Sequence, residues 1–267
     1  MKKPFILISV AVILLAIFLP VYLMIRISFS PPQDILNLDA PLLMRSATFD
    51  HWREVLSSGQ VLAPLRKSLS VALFSVVLGL LLSLPAAYTL SRLPYAVTTP
   101  ILMLIFVSRM IPEVNIALPV SITFIRWGLL DTDLGLVLAH TLRILPIMTW
   151  ILISGFKLIP KELEEACWVD GCGKLKGIIR IILPLALPSI GVAAIFGFLS
   201  SWDEFTYALY LCFSNKTLPL TVYYYVQRGS FFSSAAYSLI ITIPVVIATY
   251  VLQRHMKAEY LAGISQK

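Results

Sequence analysis

Charged residues are scarce in this chain. Only 13% of the 267 residues are Asp, Glu, Lys or Arg, whereas soluble domains average about a quarter. Hydrophobic residues make up 58% of the sequence, and the mean hydropathy is +0.88. A composition this poor in charge excludes an ordinary soluble domain and places the chain among integral membrane proteins.

Cysteine is also rare, with Cys167, Cys172 and Cys212 as the three examples. Their spacing matches no zinc-binding motif. Cys167 and Cys172 lie in a segment that the charge pattern described below places on the reducing, cytoplasmic side of the membrane. We therefore expect no disulfide and no metal site.

A complete phosphate-binding loop is missing as well. The stretch Gly171-Cys-Gly-Lys174-Leu175 ends like such a loop, but Trp168 stands where the first glycine is required. Leu175 stands where Ser or Thr would bind magnesium. We expect the chain itself to bind no cofactor, to hydrolyse no ATP and to be no enzyme.

Long hydrophobic runs cover most of the sequence. Each is long enough to cross a hydrocarbon core of roughly 30 Å as a helix, and only Arg109, Glu113 and Arg143 interrupt two of them. The sequence thus predicts an all-α polytopic membrane protein with six transmembrane helices and a retained first span. The runs are residues 4–25, 68–91, 93–125, 134–156, 181–202 and 229–253.

The third run is too long for one straight helix. Pro112 and Pro119 each remove a backbone hydrogen bond inside it, so this span should be kinked or broken. The next span follows Asp131-Thr132-Asp133, which supplies capping oxygens and negative charge for a helix start.

The net charge of +7 follows membrane topology rather than nucleic-acid binding, because Lys and Arg are spread over the segments between the spans. Positive residues accumulate in short cytoplasmic loops. That rule places both termini in the cytoplasm. The basic residues then inside are Lys2, Lys3, Arg92, Lys157, Lys161, Lys174, Lys176, Arg180, Arg254, Lys257 and Lys267.

Small residues recur every four positions in two spans. Such stripes let helix backbones approach closely in lipid, and we favour packing within one subunit over a dimerisation face. The stripes are Ser75, Gly79, Ser83 and Ala87 in the second span and Ala193, Gly197 and Ser201 in the fifth.

Two longer polar segments are expected outside the membrane. Residues 28–67 form a loop with a helix near 51–56, and residues 203–233 form a second loop. The tyrosines at 223–225 either contact an external partner protein or pack on the loop's own helices.

The longest cytoplasmic segment, residues 159–184, predicts a helix of about three turns, a sharp turn and a second, basic helix. Pro160 suits the first helical position, and the glutamates after it suit the positive end of a helix. Gly171 can adopt the positive φ that ends a helix. A short rigid helix joined to two membrane spans can transmit an applied force into both of them.

This segment resembles the cytoplasmic "EAA" loop of permeases from binding-protein-dependent ABC importers. The match consists of Glu165-Ala166-Cys167-x-x-Asp170-Gly171, nine residues, and Ile181-x-Leu183-Pro184. Cys167 departs from the usual alanine. Further stretches resemble the carbohydrate-importer branch of this family, and within it the second permease of maltose-type importers. These stretches are Arg109-Met-Ile-Pro112, Gly128-Leu-Leu-Asp131-Thr132, residues 159–165 and Trp202-Asp-Glu-Phe205.

The resemblance implies a type I importer permease in the cell inner membrane, surrounded by lipid. It would pair with a second permease, sit above two cytoplasmic ATPase subunits that bind ATP and magnesium, and receive substrate from an external binding protein. Asp170 and Gly171 have the alternative role of simply ending a helix. By position, the residues contacting the ATPase would be Glu165, Ala166, Cys167, Asp170 and Gly171.

All residues, 1–267, are assigned to one transmembrane permease domain. Its parts are a first span with an external loop (1–63), a five-span core (64–255) with the coupling loop 157–184, and a cytoplasmic tail (256–267).

Polar side chains at membrane depth are candidates for the substrate path, since burying charge in a bilayer is costly. Each has a structural alternative: an ion pair between Arg109 and Glu113, packing for Asn115, and interfacial anchoring for Trp202. His140 is expected to form an interhelical hydrogen bond rather than to carry protons. The candidates are Arg109, Glu113, Asn115, Arg143, Trp202, Asp203 and Glu204.

The sequence therefore predicts a permease subunit that moves a mono- or oligosaccharide by alternating access, driven by a separate ATPase. Glycerol phosphate or a polyamine is the alternative substrate. A secondary transporter or channel is the alternative mechanism, although it would leave residues 165–171 without a purpose. A half-exporter with a fused ATPase is not expected for a chain of this length.

Overall fold

The computed structural model describes residues 2–37, 42–228 and 231–264, and these are helical in all their regular structure. A π-helical turn, Ile178–Ile182, directly follows the short helix Lys174–Gly177. The helices are α1 (Lys2–Phe29), α2 (Pro32–Leu36), α3 (Asp50–Ser57), α4 (Leu62–Arg92), α5 (Tyr95–Arg109), α6 (Glu113–Arg126), α7 (Asp133–Lys157), α8 (Glu162–Val169), α9 (Lys174–Gly177), α10 (Leu183–Leu185), α11 (Leu187–Trp202), α12 (Thr206–Leu211), α13 (Leu218–Gln227) and α14 (Phe231–Ile264).

Four helices, α1, α4, α7 and α14, are each long and apolar enough to cross a membrane. Two bent pairs add one span each, which gives the six that the sequence predicts. The pair α5 and α6 is bent by 85° around Pro112, so the expected break in the third span is confirmed. The fifth span is bent by 71° between Lys174–Leu185 and α11, which was not predicted. Pro184 and Pro188 flank that bend and remove helical hydrogen bonds there.

The chain divides into two compact units, and the first comprises Met1–Leu65 and Leu218–Pro244. Its α3 confirms the helix predicted near residues 51–56. The Phe29 ring stacks on Trp52 at 5.3 Å between centroids. His51, on α3, stacks on Phe232 at 5.0 Å, and its Nε2 lies 3.1 Å from the carbonyl oxygen of Ser30. These contacts give the segment after the first span a folded structure.

The second unit comprises Arg66–Thr217 and Val245–Lys267, and α7 is its most buried helix. The small-residue stripes of α4 and α11 both pack against α7. Ser75 donates a hydrogen bond to the carbonyl oxygen of Val137 at 3.2 Å, and added Cβ atoms at Gly79 and Gly197 would each lie within 3 Å of the Met148 sulfur. The prediction that the stripes serve packing inside one subunit is confirmed.

The N-terminal end of α7 is capped as predicted. Thr132 accepts a hydrogen bond from the Gly135 N–H at 3.0 Å. Asp131 adopts a positive φ of 59° and accepts hydrogen bonds from the N–H groups of Phe213 and Ser214 at 2.9 and 3.1 Å. Partial burial raises the pKa of Asp131, but these hydrogen bonds more than offset that effect and leave the pKa below its ordinary value.

One expected loop and the expected polar tail contain more helix than predicted. The segment 203–233 contains α12 and α13, and α14 continues as a helix through residue 264, where a polar tail was expected. Residues 265–267 and the side chains of Lys2, Lys3, Arg254 and Lys257 lie outside the described part of the chain. The division into parts 1–63, 64–255 and 256–267 stays a prediction.

Gly155 on α7 offers a test of this packing, because an added Cβ would overlap the Cβ of Ser189. We expect Gly155→Ala to destabilise the full chain by about 1–3 kcal/mol, as overpacking does. Gly191 on α11 has open space around it, so Gly191→Ala should be neutral or stabilising by up to about 1 kcal/mol. Thermal unfolding in detergent measures both, and equal effects would contradict the packing described here.

Candidate functional site

The short helix α8 is the centre of the predicted coupling site. It spans Glu162–Val169, about two turns rather than the three expected, because Lys161 occupies the N-cap position and Pro160 lies outside. Gly171 ends it with a φ of +77°, as predicted. The N–H of Gly171 bonds the carbonyl of Trp168 at 3.1 Å, and that of Cys172 bonds the carbonyl of Cys167 at 2.8 Å. These two bonds form a Schellman motif.

One face of α8 is anchored to α4 through Glu164, which is 6% exposed. Oε2 accepts a hydrogen bond of 2.7 Å from the Tyr88 hydroxyl, and Oε1 accepts one of 2.7 Å from Nε of Arg92. A second guanidinium nitrogen of Arg92 also contacts Oε1. Charged partners in this fork geometry form stronger hydrogen bonds than neutral ones. We call these three residues the α4–α8 clamp.

Arg92 extends the clamp to the end of α7. Its Nη1 donates to the carbonyl oxygens of Phe156 and Ile159 at 3.0 and 3.4 Å. Both of those residues are buried. The guanidinium group therefore connects α4, α8 and the C-terminal end of α7 at one point.

The opposite face of α8 is exposed. Glu165, Ala166, Asp170 and Gly171, four of the five predicted coupling residues, lie on it. Val169, beside them, is 87% exposed, and Trp168 is 42% exposed. Apolar side chains exposed next to acidic ones are typical of a surface that contacts another protein.

A cleft of about 390 Å³ lies beside the clamp, at the C-terminal end of α4. Cations and anions both line it, so the cleft suits a polar protein surface. The lining residues are Tyr88, Thr89, Arg92, Leu93, Lys161, Glu164, Glu165, Trp168 and Lys174.

Cys167, the fifth predicted coupling residue, is buried and paired with Cys172 in a disulfide. The expectation that the chain has no disulfide is therefore wrong. It relied on the reducing compartment and overlooked the geometry of the turn at Gly171. In a Schellman motif the residues that stand at positions 167 and 172 commonly contact each other, and here both are cysteine.

A second polar cluster surrounds Arg143 in the middle of α7. Nη1 of Arg143 lies 3.1 Å from Oε2 of Glu113 and 3.2 Å from Oε1 of Glu204. Glu204 is fully buried and also accepts hydrogen bonds from the N–H groups of Tyr207 and Ala208. These contacts compensate for the cost of burying its charge. Arg143 thus links the start of α6, α7 and the segment between α11 and α12.

His140, one turn before Arg143, belongs to the same cluster. Its Nδ1 lies 2.7 Å from Oγ of Ser201 on α11, and its Nε2 lies 3.3 Å from Oε2 of Glu204. The prediction of an interhelical hydrogen bond is confirmed.

The predicted ion pair between Arg109 and Glu113 is wrong. The two residues end α5 and begin α6, so the break at Pro112 removes the helical spacing that the pair needs. Glu113 pairs with Arg143 instead, and Nη1 of Arg109 donates to the carbonyl oxygen of Arg143 at 2.9 Å.

The other substrate-path candidates fall into two groups. Asn115 and Asp203 are exposed. Trp202 is 1% exposed and stacks on Phe198 at 5.5 Å, so it lies in the interior of the fold. In the described part of the chain, no three His, Cys, Asp or Glu side chains are grouped to hold a metal ion.

Sequence reasoning missed the clamp residues Tyr88, Arg92 and Glu164. A helical-wheel argument could have found Glu164, because positions 164 and 167 share one face of α8 while 165 and 166 point elsewhere. Tyr88 and Arg92 are likewise one turn apart on α4. That α4 lies beside α8 has no sequence signal.

Several known proteins are similar in sequence. The sulfoquinovosyl glycerol transport system permease protein of Agrobacterium fabrum is 33% identical over 201 residues, covering 73% of this chain and 70% of that protein. The trehalose transport system permease protein of Mycobacterium tuberculosis is 28% identical, covering 92% and 91%. The trehalose/maltose transport system permease protein of Thermococcus litoralis is also 28% identical, covering 97% and 95%.

A solved structure has the same fold. A chain of a bacterial ABC transporter that imports the acidic polysaccharide alginate superposes with a TM-score of 0.73 at 19% identity, covering 92% of this chain and 93% of that one.

The family model described as the inner membrane component of binding-protein-dependent transport systems matches residues 68–258, which include the clamp, α8 and the Arg143 cluster. This chain therefore belongs to the family of binding-protein-dependent transport system inner membrane components.

Proposed function

We propose that this chain is one of two membrane subunits of a sugar importer driven by ATP hydrolysis on separate cytoplasmic subunits. An external binding protein would deliver the sugar, and a second permease would form the other half of the pathway. Two ATPase subunits would bind ATP and magnesium. Both termini of this chain would lie in the cytoplasm, as the distribution of Lys and Arg favours.

The exposed face of α8 carries the proposal. It presents Glu165, Ala166 and Asp170 together with the apolar side chains of Trp168 and Val169, on a helix whose other face is anchored. Such a face suits a partner protein better than solvent. Its sequence also matches the loop through which importer permeases contact their ATPase.

Force on this face has two routes into the membrane. The clamp passes movement of α8 to α4 and, through Phe156 and Ile159, to the end of α7. The segment after Gly171 leads through α9 and the π-helical turn into α11. Closure of the ATPase pair would therefore move α4, α7 and α11 together, which alternating access requires.

The sugar class rests on relatives whose names state sulfoquinovosyl glycerol, trehalose, trehalose/maltose and diacetylchitobiose transport. Asn115 and Arg109 are exposed near the bend between α5 and α6, where they can donate hydrogen bonds to hydroxyl groups. We propose that they contact substrate, with Glu113 and Asp203 nearby in the path. The buried Trp202 and Glu204, and Arg143 beside them, would support the path from behind. Glycerol phosphate or a polyamine is the alternative substrate.

The coupling role is tested at Glu165 and Gly171. Glu165→Arg should abolish ATPase association and transport by reversing an exposed charge, without changing membrane insertion. Gly171→Val strains the positive φ by about 1–2 kcal/mol. That strain corresponds to a loss of roughly five- to thirtyfold in association.

Gly173→Val is the matched control, because Gly173 lies two residues away with an ordinary φ of −64° and open space around it. Co-purification of the ATPase from membranes and sugar uptake are the measurements. Undiminished uptake by the Glu165→Arg variant would contradict coupling here and favour a transporter that works without ATP.

The clamp is tested by Glu164→Gln. Loss of a charged hydrogen-bonding partner costs about 1.5–3 kcal/mol, which should loosen α8 from α4. We expect less sugar transported per ATP hydrolysed, with ATPase co-purification retained. Glu162→Gln removes an exposed carboxylate from the same helix and should leave this ratio unchanged. If both variants behave alike, the clamp does not transmit force.

Substrate contact is tested by Asn115→Ala. Loss of one hydrogen bond costs about 0.5–1.5 kcal/mol, so the uptake KM should rise roughly two- to tenfold. Val114→Ala truncates the neighbouring residue, which is 50% exposed, and should leave the KM unchanged. An unaltered KM in the Asn115→Ala variant would remove Asn115 from the path.

A further inference from the structure

The two cysteines of the coupling turn are brought together by the backbone. The Schellman motif at Gly171 places residues 167 and 172 side by side, with their Cα atoms 5.1 Å apart. That separation lies within the range of about 4.4–6.8 Å that a disulfide requires. The Cα separation therefore permits a disulfide between these two residues, and the same turn accommodates two thiols.

The cysteine pair lies where a bond between the two sulfurs joins α8 to the segment that follows it. Cys167 lies on the buried face of α8, where an added Cβ at Gly177 on α9 would lie 3.4 Å from its sulfur. Cys172 is only half-buried and can be reached by a small molecule. A bond between the two ties the end of α8 to the segment that enters α9.

We propose that Cys167 and Cys172 form a reversible disulfide that slows the coupling of ATP hydrolysis to transport when the cytoplasm becomes oxidising. The proposal rests on the function proposed above for α8. In a reducing cytoplasm the pair is a dithiol, since disulfides there are usually transient and regulatory.

The chemistry is thiol–disulfide exchange with a low-molecular-weight disulfide such as oxidised glutathione. The Cys172 thiolate attacks one sulfur of that disulfide and releases one small thiol, which leaves a mixed disulfide on Cys172. The Cys167 thiolate then attacks the Cys172 sulfur and releases the second small thiol. Both cysteines are oxidised, the small disulfide is reduced to two thiols, and each protein thiol loses its proton.

The effect on coupling follows from where the backbone can bend. Gly171 lies between α8 and α9 with a positive φ and two Schellman hydrogen bonds around it, and in this proposal it is the point where the backbone bends. A covalent bond from residue 167 to residue 172 encloses that point in a small ring. The end of α8 then loses freedom to adjust as a partner closes around it, and hinge restriction of this kind lowers turnover.

Cys212 provides an internal control. It is buried directly after the end of α12, and burial raises the pKa of its thiol to about 11. A thiol with so small a thiolate fraction reacts slowly with disulfides. The redox response should therefore depend on the other two cysteines.

The test uses the complete transporter, with its ATPase and binding protein, in lipid nanodiscs. Treatment with oxidised glutathione should lower the alkylatable thiols of this chain, counted by mass spectrometry after denaturation, from three to one. Binding-protein-stimulated ATP hydrolysis should fall about threefold or more and recover with dithiothreitol. The Cys172→Ser variant should show neither change, and the Cys212→Ala variant should show the fall and recovery in ATP hydrolysis.

Two results would overturn the proposal: an unchanged thiol count, or a lowered count with unchanged stimulated hydrolysis. Equal inhibition of the Cys172→Ser variant would also overturn it, since the oxidant would then act elsewhere. The thiol count does not depend on coupling. Failure of the proposed function would instead appear as no stimulation in the fully reduced wild-type transporter.

Discussion

The largely buried ion pair between Arg92 and Glu164 is the contact on which the position of α8 depends. Removing two charges from water is costly, and a pair of this kind persists only where geometry and further hydrogen bonds compensate for that cost. Here the two guanidinium contacts to Glu164, the Tyr88 hydroxyl and the carbonyl oxygens of Phe156 and Ile159 supply the compensation. Without it, a helix of two turns would be held mainly by its covalent ends and would transmit little force.

Polar groups occur at two levels of the second unit, and α7 takes part in both. At its C-terminal end, carbonyl groups of residues 156 and 159 bind Arg92. Farther along the helix, Arg143 binds Glu113 and Glu204. Helix α7 packs closely on α4 and α11 through the small-residue stripes, so movement of its end cannot be absorbed by slack packing. This arrangement gives the coupling site a rigid connection to the polar cluster in the membrane.

The two faces of α8 have different chemical roles. The exposed face carries acidic and apolar side chains suited to a partner protein, and the buried face carries Glu164 and Cys167. Cys167 therefore does not share the position of the other four predicted coupling residues, although it stands within the same motif. Its neighbour across the turn is another cysteine, so the proposed coupling helix ends beside the pair proposed to respond to redox conditions.

The sequence by itself determined the all-helical membrane class, the six spans, the break at Pro112, the glycine that ends α8 and the cap on α7. These features depend on local chemistry: apolar runs, proline, positive φ and capping oxygens act within a few residues of where they stand.

Only the tertiary structure decided that Glu113 pairs with Arg143, that Trp202 is buried, and that Arg92 reaches Glu164. The two ion pairs join residues from different helices, and Arg92 and Glu164 are 72 positions apart in the sequence. The disulfide is an intermediate case. Its geometry depends on a local turn, but the prediction considered only the reducing compartment and not the spacing of the two cysteines. Local rules define each helix, whereas the partner of a side chain depends on which helix faces it after packing.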